Sequence, residues 1–466
     1  MTTDRRTVLA LSGALLAGVA GCLDGGSGDD GSNGEGDGDG TENGAGDEPG
    51  DGAFDGYDVP EFPRLDLVTD PDVDEAALAA QVRGNVAFSL ALLERLREES
   101  PTENLFVSPY SVSVALAMTY AGARGETAEG MADALRFELE GEDLHAAFGA
   151  LEDEFARRNE DGEEIDDPHG DSDEDGPAFQ LNTANALWGQ EGYGFSEEFL
   201  ELLEAYYGAG MQLVDFAGDA EAAREEINAW VEEQTNDRIE DLLQQGDVSD
   251  LTRLVLTTAI YFLAPWEHDF DPAKTAPGPF TGLDGEETEV DLMHQRAELR
   301  YAEVEGHQLV ELSYANRDTS MVVLLPAEGE FESFEDGFSV DRLAIMLEET
   351  TRPEVDLTLP RFGIESRFSL LEVMADLGMP LAGDFSGMDG EGGLEIAEIV
   401  HQSFVEVDEE GTEAAAATAV AMDESAPAEH VEMVVDRPFL FYVRDRPTET
   451  PLFWGRVVDG ETLQEA

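Results

Sequence analysis

The sequence has very little positive charge and almost no cysteine. Its 466 residues hold 106 Asp and Glu against 25 Lys and Arg, which gives a net charge of −81, and Lys274 is the single lysine. This deficit excludes nucleic acid as a partner, because phosphate binding requires clustered Lys and Arg. The one cysteine, Cys22, excludes an internal disulfide and a cysteine-based metal site. Since 42% of the residues are hydrophobic, we predict a globular protein adapted to high salt, which screens the self-repulsion.

Residues 1–22 resemble an export signal that ends in a lipidation motif. Arg5 and Arg6 form a twin arginine like that of a Tat signal, and the apolar stretch after them is too short to span a membrane. The stretch ends in Val-Ala-Gly-Cys, which resembles a lipobox with Cys22 as the lipid-modified residue. A plain cleaved signal with an incidental cysteine is the alternative. We expect Tat-like export to an extracellular position at the cell surface, with contact to the membrane only through a lipid anchor.

Two acidic, low-complexity segments are set apart from a long globular part. Residues 23–62 are rich in Asp and Gly and predict a flexible tether, whereas 63–466 form one domain with an acidic loop insertion at 159–177. Within the insertion, DSDEDG begins like a calcium-binding loop, but its twelfth position is Asn182 instead of Glu. We therefore predict a solvated loop, with no metal site.

Hydrophobic periodicity predicts an α+β fold with large, mostly antiparallel sheets, because helices dominate the first half and strands the second. Helices are predicted at 76–97, 112–121, 142–158, 196–208, 219–243, 339–349 and 369–377. Strands are predicted at 180–188, 253–263, 308–313, 320–325, 354–362, 394–405, 431–435, 438–443 and 452–458.

Signatures of enzymes are missing from the sequence. It contains no G-x-S-x-G elbow, H-E-x-x-H pair, P-loop or kinase motif, and its seven histidines are scattered singly. Ser108 and Ser111 stand at a Ser-Pro turn before an apolar helix, where their hydroxyls are expected to cap it. We predict a protein that is not an enzyme and uses no cofactor.

Residues 408–430, DEEGTEAAAATAVAMDESAPAEH, carry the clearest functional pattern. A capped helix is one interpretation of the alanine run after Thr412. Alternation gives another, because every second residue from Thr412 to Val420 is small or modest in size and uncharged. Such a strand could enter a sheet between two existing strands with one face in the core.

The chain resembles the serpin family over essentially all of its globular part, and within that family the secreted lipoprotein type of haloarchaea. EEGTEAAAATA at 409–419 is similar to the hinge of inhibitory serpins, and VVDRPFLFYV at 434–443 and LFWGRVVD at 452–459 are similar to the C-terminal strands. NLFVSPYSVSVALAMTYAGARGETAEGM at 104–131 resembles the early helical region. The resemblance implies the serpin fold, in which helices pack around large β-sheets and a reactive-centre loop is exposed.

The resemblance also implies a suicide inhibitor, which traps an acyl-enzyme by inserting its cleaved loop into the central sheet. The hinge would comprise Glu409, Glu410, Gly411, Thr412, Glu413, Ala414, Ala415, Ala416, Ala417 and Thr418. A gate beneath the sheet would comprise Ser108, Ser111, Thr258, Trp266 and His401. Thr258 stands where the family usually has Asn, and Leu263 and Ala264 replace a Lys-Gly pair, which affects the detail of sheet opening.

The loop length typical of the family places the scissile bond at Ser425–Ala426, within one residue either way. A small residue there suits a subtilisin-like or an elastase- or chymotrypsin-like serine protease as the partner, and we expect a monomer. Two alternatives remain. One is a non-inhibitory serpin that acts as a binding module on the cell surface, and the other is an enzyme or solute-binding lipoprotein, which the missing site chemistry disfavours.

Overall fold

The computed structural model of the chain describes residues 54, 56–67, 69, 71, 73–162, 179–208, 211–412 and 430–464. All of them belong to one unit, Gly50–Ala466. The predicted signal with Cys22, nearly all of the tether and most of the acidic insertion lie outside the described residues. The same holds for the hinge positions Glu413, Ala414, Ala415, Ala416, Ala417 and Thr418, and for Ser425 and Ala426.

Polar caps start several of the helices. The Asp74 carboxylate accepts from the N–H of Ala76 at the start of the first helix, and the Ser108 hydroxyl accepts from the N–H of Ser111 at the start of the second. The helices are α1 (Glu75–Glu99), α2 (Pro109–Tyr120), α3 (Gly125–Ala134), α4 (Gly141–Gly162), α5 (Glu197–Tyr207), α6 (Ala220–Gln234), α7 (Phe331–Gly337), α8 (Val340–Glu348), α9 (Leu371–Asp376) and α10 (Ser386–Asp389).

The strands form three sheets. They are β1 (Leu105–Val107), β2 (Gln180–Gln190), β3 (Gln212–Val214), β4 (Leu254–Pro265), β5 (Ala276–Thr281), β6 (Glu287–Glu298), β7 (Arg300–Val304), β8 (His307–Ser313), β9 (Thr319–Leu325), β10 (Glu354–Pro360), β11 (Phe362–Ser369), β12 (Glu398–Val407), β13 (Gly411–Thr412), β14 (His430–Val434), β15 (Phe439–Asp445) and β16 (Thr450–Val457). The central sheet has the order β11-β12-β13-β4-β2-β3, the rear sheet β1-β16-β15-β9-β8-β7, and the small sheet β14-β10-β6-β5.

Aromatic side chains pack the central sheet against the rear sheet. Phe262 of β4 lies 5.9 Å from Phe453 of β16, and Phe362 of β11 lies 5.1 Å from Phe441 of β15, measured between ring centroids. Most neighbouring strands are antiparallel, whereas β10–β14, β2–β3 and β12–β4 are parallel. The predicted α+β class with mostly antiparallel sheets is confirmed.

Three predicted boundaries were wrong. The helix predicted at 219–243 ends at Gln234, because Asn236 and Asp237 adopt left-handed backbone angles (φ 51° and 62°) that stop a helix. The strand predicted at 354–362 covers the whole of β10 and the first residue of β11, with a break at Arg361. The insertion predicted to begin at 159 begins later, since α4 continues to Gly162.

Helix α1 is long and apolar enough to cross a membrane by length and composition, with a mean hydropathy of 1.4 over its best 18 residues. It is the one such helix among the described residues. In the structure, Leu78, Val82, Val86 and Leu92 of this helix are fully buried in the protein core. The apolar face of α1 is therefore accounted for by packing within the domain.

Candidate functional site

The hinge begins inside the central sheet. Gly411 and Thr412 form β13, which lies between β12 and β4 and runs antiparallel to both. Thr412 pairs with Ala264 of β4 on one side and with Val407 of β12 on the other, and only 1% of it is exposed. Of the predicted hinge, Gly411 and Thr412 therefore already occupy a strand position in the sheet.

A tight turn at residues 408–411 reverses the chain, so that the hinge enters the sheet between β12 and β4. β12 ends at Val407, and the Asp408 carboxylate accepts from the N–H groups of Glu410 (2.9 Å) and Gly411 (3.1 Å). The Asp408 N–H donates to the carbonyl of Gly411 at 3.0 Å, which closes the hairpin. Glu409 accepts from the hydroxyl of Thr275 (2.6 Å), and Glu410 is buried. The turn thus directs the following chain into the space between β12 and β4.

Glycine is required at position 411 by the approach of the β4 backbone. A Cβ at this position would lie 2.3 Å from the carbonyl oxygen of Ala264 and 2.7 Å from the Cα of Pro265. Backbone atoms of a central strand cannot move aside as a flexible side chain would. Ala264, which stands where the resemblance leads us to expect glycine, supplies the nearer of these two contacts through its carbonyl oxygen.

A buried aromatic pair holds the first hinge residues. The Thr412 hydroxyl lies 2.8 Å from the hydroxyl of Tyr314, whose ring stacks on Trp266 at 4.5 Å. Trp266 donates from its backbone N–H to the carbonyl of Glu410 (2.8 Å) and from Nε1 to the carbonyl of Asp408 (3.0 Å). Trp266 was expected in the gate beneath the sheet, and this placement was wrong. It lies at the hinge, about 26 Å along β4 from Thr258.

The other four predicted gate residues lie together. His401 Nε2 accepts from the backbone N–H of Ser108 at 3.0 Å, and His401 Nδ1 lies 2.9 Å from the hydroxyl of Thr258. The Ser108 hydroxyl donates to the carbonyl of Leu452 (2.7 Å) and caps α2 through Ser111. Ser108, Ser111, Thr258 and His401 are fully buried, so the cluster joins β4, β12 and α2 in the interior.

The hydrogen bonds of this cluster define the tautomer and the charge of the His401 ring. Because Nε2 accepts from Ser108, the ring proton is on Nδ1 and is donated to Thr258, whose hydroxyl then donates to the carbonyl of Val400 (3.3 Å). Burial lowers the pKa of His401 to about 3. The histidine is therefore neutral at ordinary pH, and every polar atom of the ring has a partner.

We predict that the protein becomes less stable as the pH is lowered below the ordinary pKa of a histidine, because of His401. The unfolded chain binds a proton at the ordinary pKa of 6.5, whereas the folded chain binds it only near 3. Folding is therefore penalised below 6.5, by about 2 kcal/mol at a pH of about 5. The melting temperature, measured in molar salt at a series of pH values, should fall less steeply in His401→Gln than in the parent. His268→Gln, which changes an exposed histidine, is the control, and equal slopes in all three proteins would contradict the prediction.

Below the hinge, β12 and β4 still bond to each other. Six residue pairs are in parallel register, from Glu398–Val255 to Ser403–Ile260, and His401 is paired with Thr258. The chain re-enters the described part at β14, which is the edge strand of the small sheet beside β10. Residues 413–429 thus connect β13 of the central sheet to β14 of the small sheet.

The sequence patterns did not indicate Tyr314. It contacts Thr412 across 98 residues of sequence, and the two come together where Tyr314, just after β8, forms an antiparallel bridge with Trp266, just after β4. In the described part of the chain, no group of three or more His, Cys, Asp or Glu side chains is placed to hold a metal ion.

Comparisons with known proteins agree with this architecture. The family model described as Serpin (serine protease inhibitor) matches residues 83–460. The chain is 37% identical over 390 residues to the leukocyte elastase inhibitor of Bos taurus, covering 80% of this chain and 97% of that protein. It is 38% identical over 362 residues to an uncharacterized serpin-like protein of Thermococcus kodakarensis, covering 76% of this chain and 80% of that protein.

Solved structures show the same fold. The thermophilic serpin Tengpin in its native state matches with a TM-score of 0.71 at 27% identity, covering 85% of this chain and 97% of that one. Uncleaved ovalbumin matches with a TM-score of 0.69 at 27% identity, covering 82% of this chain and 100% of that one. The protein belongs to the serpin family and has the serpin fold.

Proposed function

We propose that this serpin is not an enzyme but a suicide inhibitor of serine proteases, which traps the acyl-enzyme by inserting its cleaved loop into the central sheet. The observation that carries the proposal is β13. Gly411 and Thr412 of the hinge already lie between β12 and β4, with Thr412 buried and hydrogen-bonded. Insertion would extend this strand rather than start a new one.

The register of β13 defines where the rest of the loop would go. Gly411 pairs with Pro265 and Thr412 with Ala264, so each further residue would pair one position back along β4. On this register the ladder would end with Met422 opposite Leu254, the first residue of β4. The scissile residue Ser425 would then lie just past the far end of the strand, so that an attached protease would be carried along its whole length.

Insertion would also pass through the gate. The same register places Thr418 opposite Thr258 on β4 and opposite His401 on β12. The bond between Thr258 and His401 must therefore break as the strands part. Thr418 and Thr412 have the same parity, and side chains of the same parity point to the same face of a strand. The Thr418 hydroxyl would thus be placed to form hydrogen bonds with Thr258 and His401 in place of the bond between them.

The energy for trapping comes from the ladder. Insertion breaks the hydrogen-bond ladder between β12 and β4. It creates two new ladders, one on each side of the inserted strand. Each ladder hydrogen bond contributes about 1 kcal/mol net. The uncleaved chain cannot gain this energy in full, because the loop is attached to β14 in the small sheet at its other end.

We predict that Thr418→Val weakens the cleaved form selectively. The variant cannot re-pair Thr258 and His401 after insertion, and a buried polar group without a partner costs about 1–3 kcal/mol. The melting temperature of the loop-cleaved protein should fall, and that of the uncleaved protein should stay as in the parent. Ala416→Gly, which removes a side chain of the same parity without a hydroxyl, is the comparison variant. A lower melting temperature of the uncleaved form alone in Thr418→Val would contradict the proposed pairing of Thr418 with Thr258 and His401.

The target is inferred from the loop sequence. No Arg or Lys occurs between Asp408 and His430, which disfavours a trypsin-like protease, and Ser425–Ala426 suits a small or shallow apolar pocket. The relatives named leukocyte elastase inhibitors support this preference. We infer a subtilisin-like or an elastase- or chymotrypsin-like target, bound by a monomeric inhibitor.

Incubation with a panel of such proteases in molar salt tests the proposal. A covalent complex that survives SDS electrophoresis is the expected result. Clean cleavage near Ser425 without a complex would overturn it and would support the second candidate, a non-inhibitory serpin that acts as a binding module on the cell surface. Trypsin serves as the negative control, because the loop offers it no basic residue.

For localisation, we propose export by a Tat-like signal and a lipid anchor at Cys22. We predict that Cys22→Ser leaves the protein exported but no longer retained by membranes, because the thiol is the attachment point for the lipid. Cell fractionation and the intact mass of the membrane-bound protein provide the measurement. Ser27→Cys in the Cys22→Ser background is the control for position, since it moves the cysteine away from the motif. An unchanged mass and unchanged membrane association in Cys22→Ser would contradict the prediction.

A further inference from the structure

A cavity of about 380 Å³ beside the hinge is lined by an unusual number of arginines. Four of the 24 arginines of this strongly acidic chain line it, and they come from four separate segments. They are Arg300 at the start of β7, Arg317 in the turn after β8, Arg352 before β10 and Arg446 after β15. Trp266, the residue that holds the hinge, is also part of the wall.

A buried amide in the wall lacks a partner. Gln295 of β6 is 5% exposed and lines the cavity, and neither its Nε2 nor its Oε1 makes a hydrogen bond to any described residue. A buried amide normally has a partner, because leaving it without one costs about 1–3 kcal/mol. Gln295 therefore offers both a donor and an acceptor to a molecule in the cavity.

Positive charge remains in excess at the wall. Glu311 is surrounded by Arg300 (3.0 Å) and Arg446 (3.3 Å), with Arg444 behind it at 2.9 Å. These three guanidinium groups hold the pKa of Glu311 at about 2, although its burial acts in the opposite direction. The excess over the whole wall is one positive charge, because its four arginines face the carboxylates of Glu267, Glu298 and Glu311. The pKa of Arg300 is lowered by its burial and by its two arginine neighbours.

The outer arginines differ in their pairing. Arg317 donates to Glu267 at 2.8 Å, with most of its side chain exposed. Arg352 is exposed and has no ion pair with any residue that the structure describes. Its guanidinium can therefore reach a ligand without first breaking a contact.

We propose that this cavity binds a small anion that carries several negatively charged oxygens, such as a tricarboxylate or inorganic phosphate. Planar guanidinium groups bind carboxylate and phosphate oxygens in pairs, which gives both strength and orientation. The volume is in the range of small-molecule sites. Salt screens the partly buried Arg300 less than the exposed Arg317 and Arg352, so part of the attraction remains in the molar salt that the chain is expected to need.

Isothermal titration calorimetry in molar KCl tests the site, with citrate as the probe in one arm and inorganic phosphate in the other. We expect saturable binding of at least one probe to the parent protein at one site per chain. Affinity should fall about tenfold or more in Arg352→Gln and in Gln295→Leu. Arg83→Gln removes a partly exposed arginine of α1 that is paired with Glu138 and does not line the cavity, and it should bind like the parent.

Two results would overturn the proposal. One is the absence of saturable binding for both probes. The other is the same affinity in all four proteins, which would mean a general effect of salt. Circular dichroism of each variant in the same buffer shows whether it is folded. If Gln295→Leu fails to fold, Arg352→Gln decides the outcome, since its side chain is exposed.

The position of Trp266 connects the cavity to the hinge. Its backbone and Nε1 hydrogen bonds to Glu410 and Asp408 fix the turn that precedes β13. We therefore expect the bound anion to change the rate of covalent complex formation at least twofold in the parent and not in Gln295→Leu. This step rests on the proposed inhibition, whereas the calorimetry does not. Failure of inhibition would therefore leave the binding result intact, and binding without a change in rate would overturn the coupling alone.

Discussion

Thr412→Arg should convert the protein from an inhibitor into a substrate. Thr412 is fully enclosed between β12 and β4, and its hydroxyl faces that of Tyr314. A guanidinium in this apolar space without a carboxylate costs several kcal/mol. Because Thr412 is already buried before cleavage, the arginine would force the two-residue strand out of the sheet, and its re-entry during insertion would carry the penalty. A penalty of about 3 kcal/mol slows insertion more than a hundredfold, so deacylation would be faster than insertion. The stoichiometry of inhibition against the protease found in the panel is the measurement.

Two controls separate the charge from the loss of the hydrogen bond. Thr412→Val keeps the shape and removes only the hydroxyl, and Tyr314→Phe removes the other partner of the same bond. Each should cost about 1 kcal/mol and leave inhibition largely intact. Glu413→Arg places the same charge one residue further, where alternation predicts the opposite face, and should do far less harm. Normal inhibition by Thr412→Arg, or equal damage from both arginine variants, would show that insertion does not bury this position.

Removal of salt should unfold the protein. The net charge is −81, and the structure shows how closely like charges are placed. Glu197, Glu198, Glu201 and Glu204 are all exposed on α5, three or four residues apart, and no ion pair with a basic residue forms among them and the other described residues. Neighbours at this spacing repel one another. Far-ultraviolet circular dichroism should show loss of helix as KCl is lowered from molar concentration.

The matched control for salt is a neutral osmolyte. Sucrose favours compact states by exclusion from the protein surface but does not screen charge. It should fail to restore the signal at low ionic strength, whereas KCl should restore it. A full native signal in salt-free buffer, or equal rescue by sucrose, would show that charge repulsion does not limit folding.

The fold was predictable where apolar residues form long runs or helical stripes. Helix α1 and strands β2, β4, β9 and β16 were located to within a few residues for this reason. Strands β5 and β6 were missed, because β5 (APGPFT) contains two prolines and most residues of β6 (ETEVDLMHQRAE) are polar or charged. The short strands β1 and β3 have only three residues each, which is too few for a pattern to appear.

The site was predictable in its residues but not in its arrangement. The alternation that begins at Thr412 predicted a strand, and Thr412 lies in one, but the sequence could not show that β13 is already paired, since that depends on its contacts with the distant β4. Trp266 was assigned to the wrong cluster, because its neighbours Tyr314 and Asp408 lie 48 and 142 residues away in sequence. Contacts over such separations leave no local signal.

The two-residue strand β13 also has a kinetic consequence. Adding a strand to a sheet normally requires a nucleus, whose loop-closure entropy is lost before any contact compensates for it. Here the nucleus is present before a protease attacks, and its register is fixed by Gly411 against Pro265. Extending a paired strand is a matter of microseconds, as in hairpin formation at about 1–10 μs, whereas a typical enzyme turns over about ten times per second. On the proposed mechanism, the speed of trapping would therefore be set by the separation of β12 from β4 and by the movement of the attached protease, not by the search for a register.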